Sequence, residues 1–223
     1  RTNDNFVLSV LTIVLEQKPA EVVIGDAPLQ GCRWHQMISD SFQSDVAKLS
    51  GKYNVLVRIE DFRRRHYIIS ENTPVSEINP IGNYVIFDLG GDSILEEITT
   101  TGKSRFRVNN YDPDRMALAH GRGIHKYCIV KEFFDTDVVI SLPKIKTHQK
   151  TGITGALKNI VGINGDKDFL PHHRIGGVGL GGDCYPGRSQ LRLWSELLTD
   201  KANRKQGTKY FWLWQKPASL LWA

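Results

Sequence analysis

The side chains best suited to chemistry lie in one segment, residues 141–165, with the sequence SLPKIKTHQKTGITGALKNIVGING. The segment contains no Asp or Glu, and its cationic side chains are Lys144, Lys146, His148, Lys150 and Lys158. Glycine lets a ligand approach the backbone closely, and the unpaired N–H groups at the start of a helix favour negative charge. The segment therefore predicts an anion-binding turn before a helix that starts near Gly155.

We predict two catalytic residues here, His148 and Lys158. A histidine titrates near neutral pH and can carry a proton, and a lysine in the first turn of a helix can cover a bound anion. The predicted substrate-binding residues of the segment are Lys144, Lys146, Thr151, Gly152, Thr154, Gly155 and Asn159. Neither the Walker A pattern nor the Rossmann glycine pattern is present, so the alternative is a solvated loop before an ordinary helix.

A second group of potential ligands follows this segment: Asp166, Asp168, His172, His173, Asp183 and Cys184. We predict that His172, His173 and Asp183 hold a divalent transition metal, because two imidazoles and a carboxylate suit such an ion. Neighbouring histidines on an extended chain point to opposite faces, however, so polar loop groups without a metal are the alternative. Arg174 is predicted to bind an anionic substrate.

Two apolar runs each lead into a loop with a polar group and a proline: EVVIGDAP at 21–28 and DVVISLPK at 137–144. Both read as buried strands, and in open α/β sheets ligands bind at the carboxyl ends of the strands. We therefore expect Asp26 to bind substrate in the same crevice as the 143–159 loop. A turn cap is the alternative role for this aspartate.

The elements that must position these residues alternate between helix and strand at both ends of the chain, and strands cluster in the middle. This order predicts an α/β fold, a mostly parallel sheet flanked by helices, with a β-rich insertion around residues 53–110. We predict a single α/β domain over 1–223, with 53–126 as an inserted subdomain. Because the chain opens on a helix that leads directly into a strand, we expect it to be a fragment of a longer chain.

Composition narrows the class of protein. The net charge of +5 is mild, and basic residues are not interleaved with aromatics, so nucleic acid is not the predicted partner. The run Arg63–Arg64–Arg65–His66 is interpreted as a solvated strand edge. No apolar stretch is long enough to cross a membrane, and the scattered cysteines Cys32, Cys128 and Cys184 are typical of a reducing compartment, so we predict a cytoplasmic protein.

Residues 137–159, with the pattern DVVISLPKIKTHxxTGITGALKN, resemble the signature of the domain-of-unknown-function family 362, and VVIGDAP at 22–28 resembles that family's other strong block. The resemblance implies an α/β domain with a ligand site and no settled reaction. Many members carry a fused ferredoxin-like domain with iron–sulfur clusters. This chain has no C-x-x-C motif, so a cluster is not expected within it, and a redox role would need an iron–sulfur partner.

The spacing G-x-x-G-x-x-K at 152–158 is also similar in outline to the glycine–lysine loop of nickel-pincer enzymes of the lactate-racemase type. That likeness implies Lys158 as a cofactor anchor and His148 as a proton carrier. Two functions stay open at this point. One is an enzyme acting on a phosphorylated or carboxylated small molecule. The other is a non-catalytic binding or electron-transfer module that docks an iron–sulfur protein through the basic loop.

Overall fold

The computed structural model describes residues 2–68, 75–99, 106–108, 110–148 and 152–222. Its α-helices are α1 (Asp4–Glu16), α2 (Trp34–Met37), α3 (Asp40–Tyr53), α4 (Pro113–Ala119), α5 (Glu132–Asp135), α6 (Ala156–Asn159), α7 (Gln190–Asn203) and α8 (Phe211–Trp222). Short 3-10 helices span Ile81–Asn83, Gly90–Asp92, Glu96–Ile98, Ile160–Ile163, Lys167–Phe169 and Val178–Leu180.

The strands are short, and most contain only a few residues. They are β1 (Glu21–Asp26), β2 (Leu56–Asp61), β3 (Arg65–His66), β4 (Ser76–Glu77), β5 (Tyr84–Asp88), β6 (Phe106–Arg107), β7 (His120–Gly121), β8 (Ile124–Val130), β9 (Lys146–His148), β10 (Gly152–Thr154) and β11 (His173–Arg174). β1 pairs with β2 in parallel, and β5, β8 and β7 form an antiparallel sheet of three strands.

Helices α1 and α3 cover the parallel pair β1–β2. Each helix starts at a side-chain cap: Asn3 accepts hydrogen bonds from the N–H groups of Asn5 and Phe6, and Ser39 accepts one from Phe42. Their apolar faces meet the inner side of the two strands. The buried members of this core are Leu11, Leu15, Ile38, Phe42, Val46 and Val55.

Residues 162–165 join the carboxyl ends of β1 and β2 to β8. Gly162 O accepts a hydrogen bond from Ala27 N at 2.7 Å, and Gly165 O accepts one from Arg64 N at 2.9 Å. On the other side, Gly165 N donates to Cys128 O at 2.9 Å. A second core of Ala27, Phe62, Tyr84, Cys128 and Val130 packs around this connection. The connection therefore holds the loops after β1 and β2 in place.

The predicted fold class is wrong. Within the described residues β1–β2 is the one parallel pair, and the other pairings are antiparallel, so the flanked parallel sheet is not formed. The run Asp137–Leu142 lies outside the strands, and its residues Val138 and Ile140 are 70% and 51% exposed. An apolar β-branched run has the local preference of a strand, but a strand also needs a neighbour with which to exchange hydrogen bonds.

The predicted β-rich insertion at 53–110 is wrong for a related reason. Its strands β2, β5 and β6 pair with β1, β8 and β11, which lie outside that range. The division of the chain into domains, with 53–126 as a subdomain, stays a prediction. No helix in the described part of the chain is both long enough and apolar enough to cross a membrane.

Candidate functional site

The carboxyl ends of β1 and β2 lie side by side, because Asp26 pairs in register with Asp61. The loops that follow the two strands, together with the connection from Gly165, surround a small pocket with room for about one water-sized group. Its lining residues are Pro28, Gln30, Arg63, Arg65, Tyr111, Gly165, Asp166 and Lys167.

The arginine run after β2 is buried, so the interpretation of a solvated strand edge is wrong. Arg63, Arg64 and Arg65 are only 3%, 8% and 7% exposed. Arg63 Nη2 donates to Asp61 Oδ2 at 2.6 Å, and its Nη1 donates to the carbonyl oxygens of Gln30 and Cys32. Arg63 therefore ties the loop after β1 to the end of β2, as charge-assisted hydrogen bonds from a planar guanidinium allow.

Asp166 and Asp168 neutralise the other two arginines. Arg64 Nε donates to Asp166 Oδ2 at 2.8 Å, and Arg65 Nη2 donates to Asp166 Oδ1 at 2.8 Å and to Asp168 Oδ2. Burial raises the pKa of Asp166, but the two guanidinium groups outweigh it and hold the pKa below its usual value. Burial raises the pKa of Asp168 to about 6, against the opposing charge of Arg65.

One N–H donor of the Arg65 guanidinium, the one on Nε, is not used within the described part of the chain. Its Nε is buried and has no hydrogen-bond partner among the described residues, although the guanidinium lines the pocket. An unpaired buried donor costs free energy, so an acceptor in the pocket would satisfy it.

Lys167 is the most strongly perturbed base at this site. Its Nζ donates to Val161 O at 2.6 Å and to Asn164 O at 2.5 Å. Burial lowers the pKa of this amine to about 7, although the charges of Asp26 and Asp166 oppose the shift. Burial in turn raises the pKa of Asp26 against the charge of Lys167. Groups with such shifts in a pocket are typical of functional sites.

Asp26 lies against the 3-10 helix Ile160–Ile163, which directly follows α6. A Cβ atom at Gly162 would collide with the Asp26 carboxylate, so the absence of a side chain there permits the contact. The segment predicted to bind an anion thus continues into the turn that meets Asp26 and accepts hydrogen bonds from Lys167.

The predicted 143–159 loop forms a short hairpin and one turn of helix. β9 pairs with β10, so that Lys146 lies opposite Thr154 and His148 opposite Gly152. α6 begins after Gly155 and has four residues. Exposed members of the predicted set are Lys144, Lys146, Gly152, Lys158 and Asn159. Thr151 lies outside the described residues, and the roles of the whole set stay predictions.

Thr154 and Asn159, both members of the predicted set, form hydrogen bonds within the segment. Thr154 is buried, and its Oγ1 donates to Lys146 O across the hairpin at 3.4 Å. Asn159 Nδ2 donates to Ser141 Oγ at 3.0 Å, which joins α6 to the start of the segment. These bonds place the two residues within the scaffold of the loop.

The predicted metal ligands are only partly brought together. Ligand atoms of His173, Asp183 and Cys184 lie within 4.8 Å of one another, and His172 is not in that group. The His172 and His173 rings are nevertheless adjacent, with centroids 4.2 Å apart. Arg174 N donates to Asp183 Oδ1 at 2.8 Å. The metal site therefore stays a prediction, with Cys184 as an added ligand.

A buried pair of histidines was not predicted from the sequence. His120 and His125 are fully buried, and their Nδ1 atoms are 3.3 Å apart. His120 Nε2 donates to Phe169 O at 2.9 Å, so its Nδ1 accepts the hydrogen of His125 Nδ1. His125 Nε2 lies 3.0 Å from Glu96 Oε2. Burial lowers the pKa of His120. The sequence signal was their five-residue spacing around a tight turn.

Comparison with known proteins finds a family but no individual relative. Neither a curated protein nor a solved structure matches the chain. The family model described as "Domain of unknown function (DUF362)" matches residues 94–200. That range includes the hairpin, α6 and Asp166–Asp168, whereas Asp26 and the arginines after β2 precede it. Residues 94–200 of the chain therefore match the family DUF362, a domain of unknown function.

Proposed function

We propose that this protein is an enzyme that binds a carboxylated or phosphorylated small molecule and transfers a proton at the carboxyl edge of β1 and β2. The observation that carries the proposal is Lys167, a buried amine whose pKa of about 7 suits a general base at neutral pH. It lines a pocket together with Arg63 and Arg65.

The hydrogen bonds of Lys167 support this role. A neutral amine has two N–H donors and one lone pair, and the two donors are used by the carbonyl oxygens of Val161 and Asn164. The lone pair is left to accept a proton. Asp26, whose pKa is raised, is the nearby carboxyl group that can return one.

The size of the pocket limits what enters it. Room for about one water-sized group admits the reacting oxygen of a ligand, where Arg65 Nε supplies an unpaired donor. The charged group of the ligand would then lie outside, held by Lys144, Lys146 and Lys158. Support for this arrangement comes from their exposure and from the continuation of α6 into the turn at Gly162. His148 at the end of β9 would carry a second proton.

The test is to incubate the natively purified protein with a mixture of metabolites and to follow their consumption by mass spectrometry. We expect the wild-type protein to consume a carboxylated or phosphorylated metabolite. Lys167→Met and Asp26→Asn should each reduce the rate by about 100-fold or more, as loss of a general acid or base does. Circular dichroism checks that both variants are folded. Lys48→Met is the control, because Lys48 is exposed and pairs only with Asp45 among the contacts seen.

Two outcomes would overturn the enzyme proposal. One is that the folded Lys167→Met variant turns over as fast as the wild type. The other is that no anionic metabolite is consumed, while a ferredoxin-type iron–sulfur protein binds in a salt-dependent way that Lys158→Ala weakens. The second result would favour the docking module instead.

A further inference from the structure

We infer that His173, Asp183 and Cys184 form a binding site for a divalent transition metal of the zinc type, separate in its residues from the proton-transfer pocket. The three side chains each offer one ligand atom, and these atoms lie within 4.8 Å of one another. Around a tetrahedral ion with bonds of about 2.0–2.3 Å, ligand atoms are roughly 3.5 Å apart. The ligands therefore need only small rotations to close on an ion.

The backbone around the three residues is held by hydrogen bonds. β11 pairs with β6, so that His173 lies opposite Arg107. The chain then turns back, and Asp183 N donates to Arg174 O at 3.1 Å while Cys184 N donates to Gly176 O at 3.0 Å. These hydrogen bonds place Asp183 and Cys184, at the end of the turn, beside His173, which precedes it.

Glycines make this turn possible. A Cβ atom at Gly182 would collide with the carbonyl oxygens of Ile175 and Gly176, so only glycine fits the crossing point. Gly181, with φ of 76°, has the left-handed conformation that glycine adopts without strain. The glycine-rich tract 176–182 thus permits the turn that places Asp183 and Cys184 against β11.

The donor set selects the kind of ion. A thiolate, an imidazole and a carboxylate suit zinc and related transition metals, whereas calcium and magnesium prefer oxygen ligands alone. The site is open to solvent on the aspartate side, since Asp183 is 42% exposed while His173 is 15% exposed. An ion can therefore enter without unfolding of the turn.

Three protein ligands leave one position of a tetrahedral ion open, which is the arrangement of catalytic rather than structural zinc. Arg174 lies beside one of the ligands, with its Nε 4.0 Å from Asp183 Oδ2 and without a hydrogen-bond partner among the described residues. A water molecule or the oxygen of an anionic ligand would occupy the open position.

The experiment is to strip the protein with a chelator and to titrate it with Co²⁺ and with Zn²⁺. We expect one equivalent of either ion to bind, with a thiolate-to-cobalt charge-transfer band in the near ultraviolet. Cys184→Ser should abolish the band. Cys184→Ser, His173→Ala and Asp183→Ala should each weaken zinc binding by more than the 10- to 100-fold that loss of a supporting residue costs.

Two controls keep the ligand assignment specific. Cys32→Ser removes a partly buried free thiol elsewhere in the chain and should leave the band and the affinity unchanged. His172→Ala tests the neighbouring ring and should change the affinity by less than about 3-fold, since it is not within reach of the other ligands. Absence of the charge-transfer band in the wild type, or loss of binding in His172→Ala equal to that in His173→Ala, would overturn the assignment.

Discussion

At the scale of single residues, the chemistry of this protein lies in ionisable groups that the fold has buried. Three arginines after β2 are buried because Asp61, Asp166 and Asp168 neutralise them. Burial lowers the pKa of Lys167, which lies between two of these carboxylates in the sequence, to about 7. Buried charges need such partners, since an unpaired ion in a protein interior is costly. The sequence shows the arginine run and the adjacent Asp61, but not its pairing with Asp166 and Asp168, which come about a hundred residues later.

Lys167 should make the stability of the protein depend on pH. Its pKa falls from 10.5 in the unfolded chain to about 7 in the folded protein, so between these values the unfolded state binds more protons. The free energy of unfolding therefore rises with pH across that window, by at most about 1.4 kcal/mol per pH unit from this group. Lys167→Met should remove that rise.

The measurement is urea unfolding of the wild type and of Lys167→Met at several values of pH from 7 to 10. The difference between their free energies of unfolding should shift steadily in favour of the wild type as pH increases. The hydrogen bonds lost with the amine add only a constant offset to this difference. Lys48→Met, which removes an exposed lysine, should follow the wild-type slope; if Lys167→Met also does, Lys167 is protonated in the folded protein.

At the scale of elements, the local sequence pattern predicts the helices and strands whose caps and apolar periodicity lie within their own residues. Capped amphipathic helices such as α1 and α3 and the strand β1 follow from their own residues. Asp137–Leu142 has an equally strong strand pattern, yet it pairs with no strand among the described residues. The pattern shows a local preference and does not show which segment lies beside it. The position of Asp26 at the end of β1 was predictable, whereas its contact with Gly162 depends on a crossing of distant segments.

The close approach of residues 162–165 to the end of β2 predicts the effect of a substitution at Gly165. A Cβ atom at Gly165 would lie 2.6 Å from Phe62 O and would also strike the Tyr84 ring. Gly165→Ala should therefore lower the free energy of unfolding by about 1–3 kcal/mol, as overpacking does. Gly51→Ala is the matched control, because Gly51 lies in α3 with nothing within 4 Å of its Cβ position. It should raise the free energy of unfolding by about 0.5–1 kcal/mol.

Chemical unfolding followed by circular dichroism measures both glycine variants. Equal effects of the two substitutions would show that Gly165 is not in close contact with Phe62 O and the Tyr84 ring. A destabilised Gly165→Ala beside a stabilised Gly51→Ala would confirm the close approach.

At the scale of the whole molecule, a buried ion-pair network joins the middle of the chain to α7. Arg107 Nη1 donates to Glu196 Oε1 at 2.7 Å and Nη2 donates to Asp200 Oδ1 at 2.8 Å, and Arg107 is 4% exposed. Glu196 Oε2 in turn accepts a hydrogen bond from Gly176 N at 2.7 Å. The network therefore links β6, the glycine-rich turn and α7.

Removal of the arginine should be costly. Arg107→Leu leaves Glu196 buried without its counter-charge, which should lower the free energy of unfolding by about 3–5 kcal/mol. Arg58→Leu breaks an exposed network with Glu21 and Glu60 and should cost less than about 1 kcal/mol. Urea unfolding compares the two variants with the wild type. A loss for Arg107→Leu no larger than that for Arg58→Leu would mean that water reaches Glu196.

The contact of residues 162–165 with the loops after β1 and β2 also bears on how the protein folds. The pocket is lined by Pro28 and Gln30 from one end of the chain and by Gly165, Asp166 and Lys167 from far along it. Such pairings close long loops, whose entropy must be overcome before the contact yields any stabilisation. We therefore expect the helices and hairpins to form early and the pocket last. The lysine that we assign to proton transfer acquires its shifted pKa only when folding is complete.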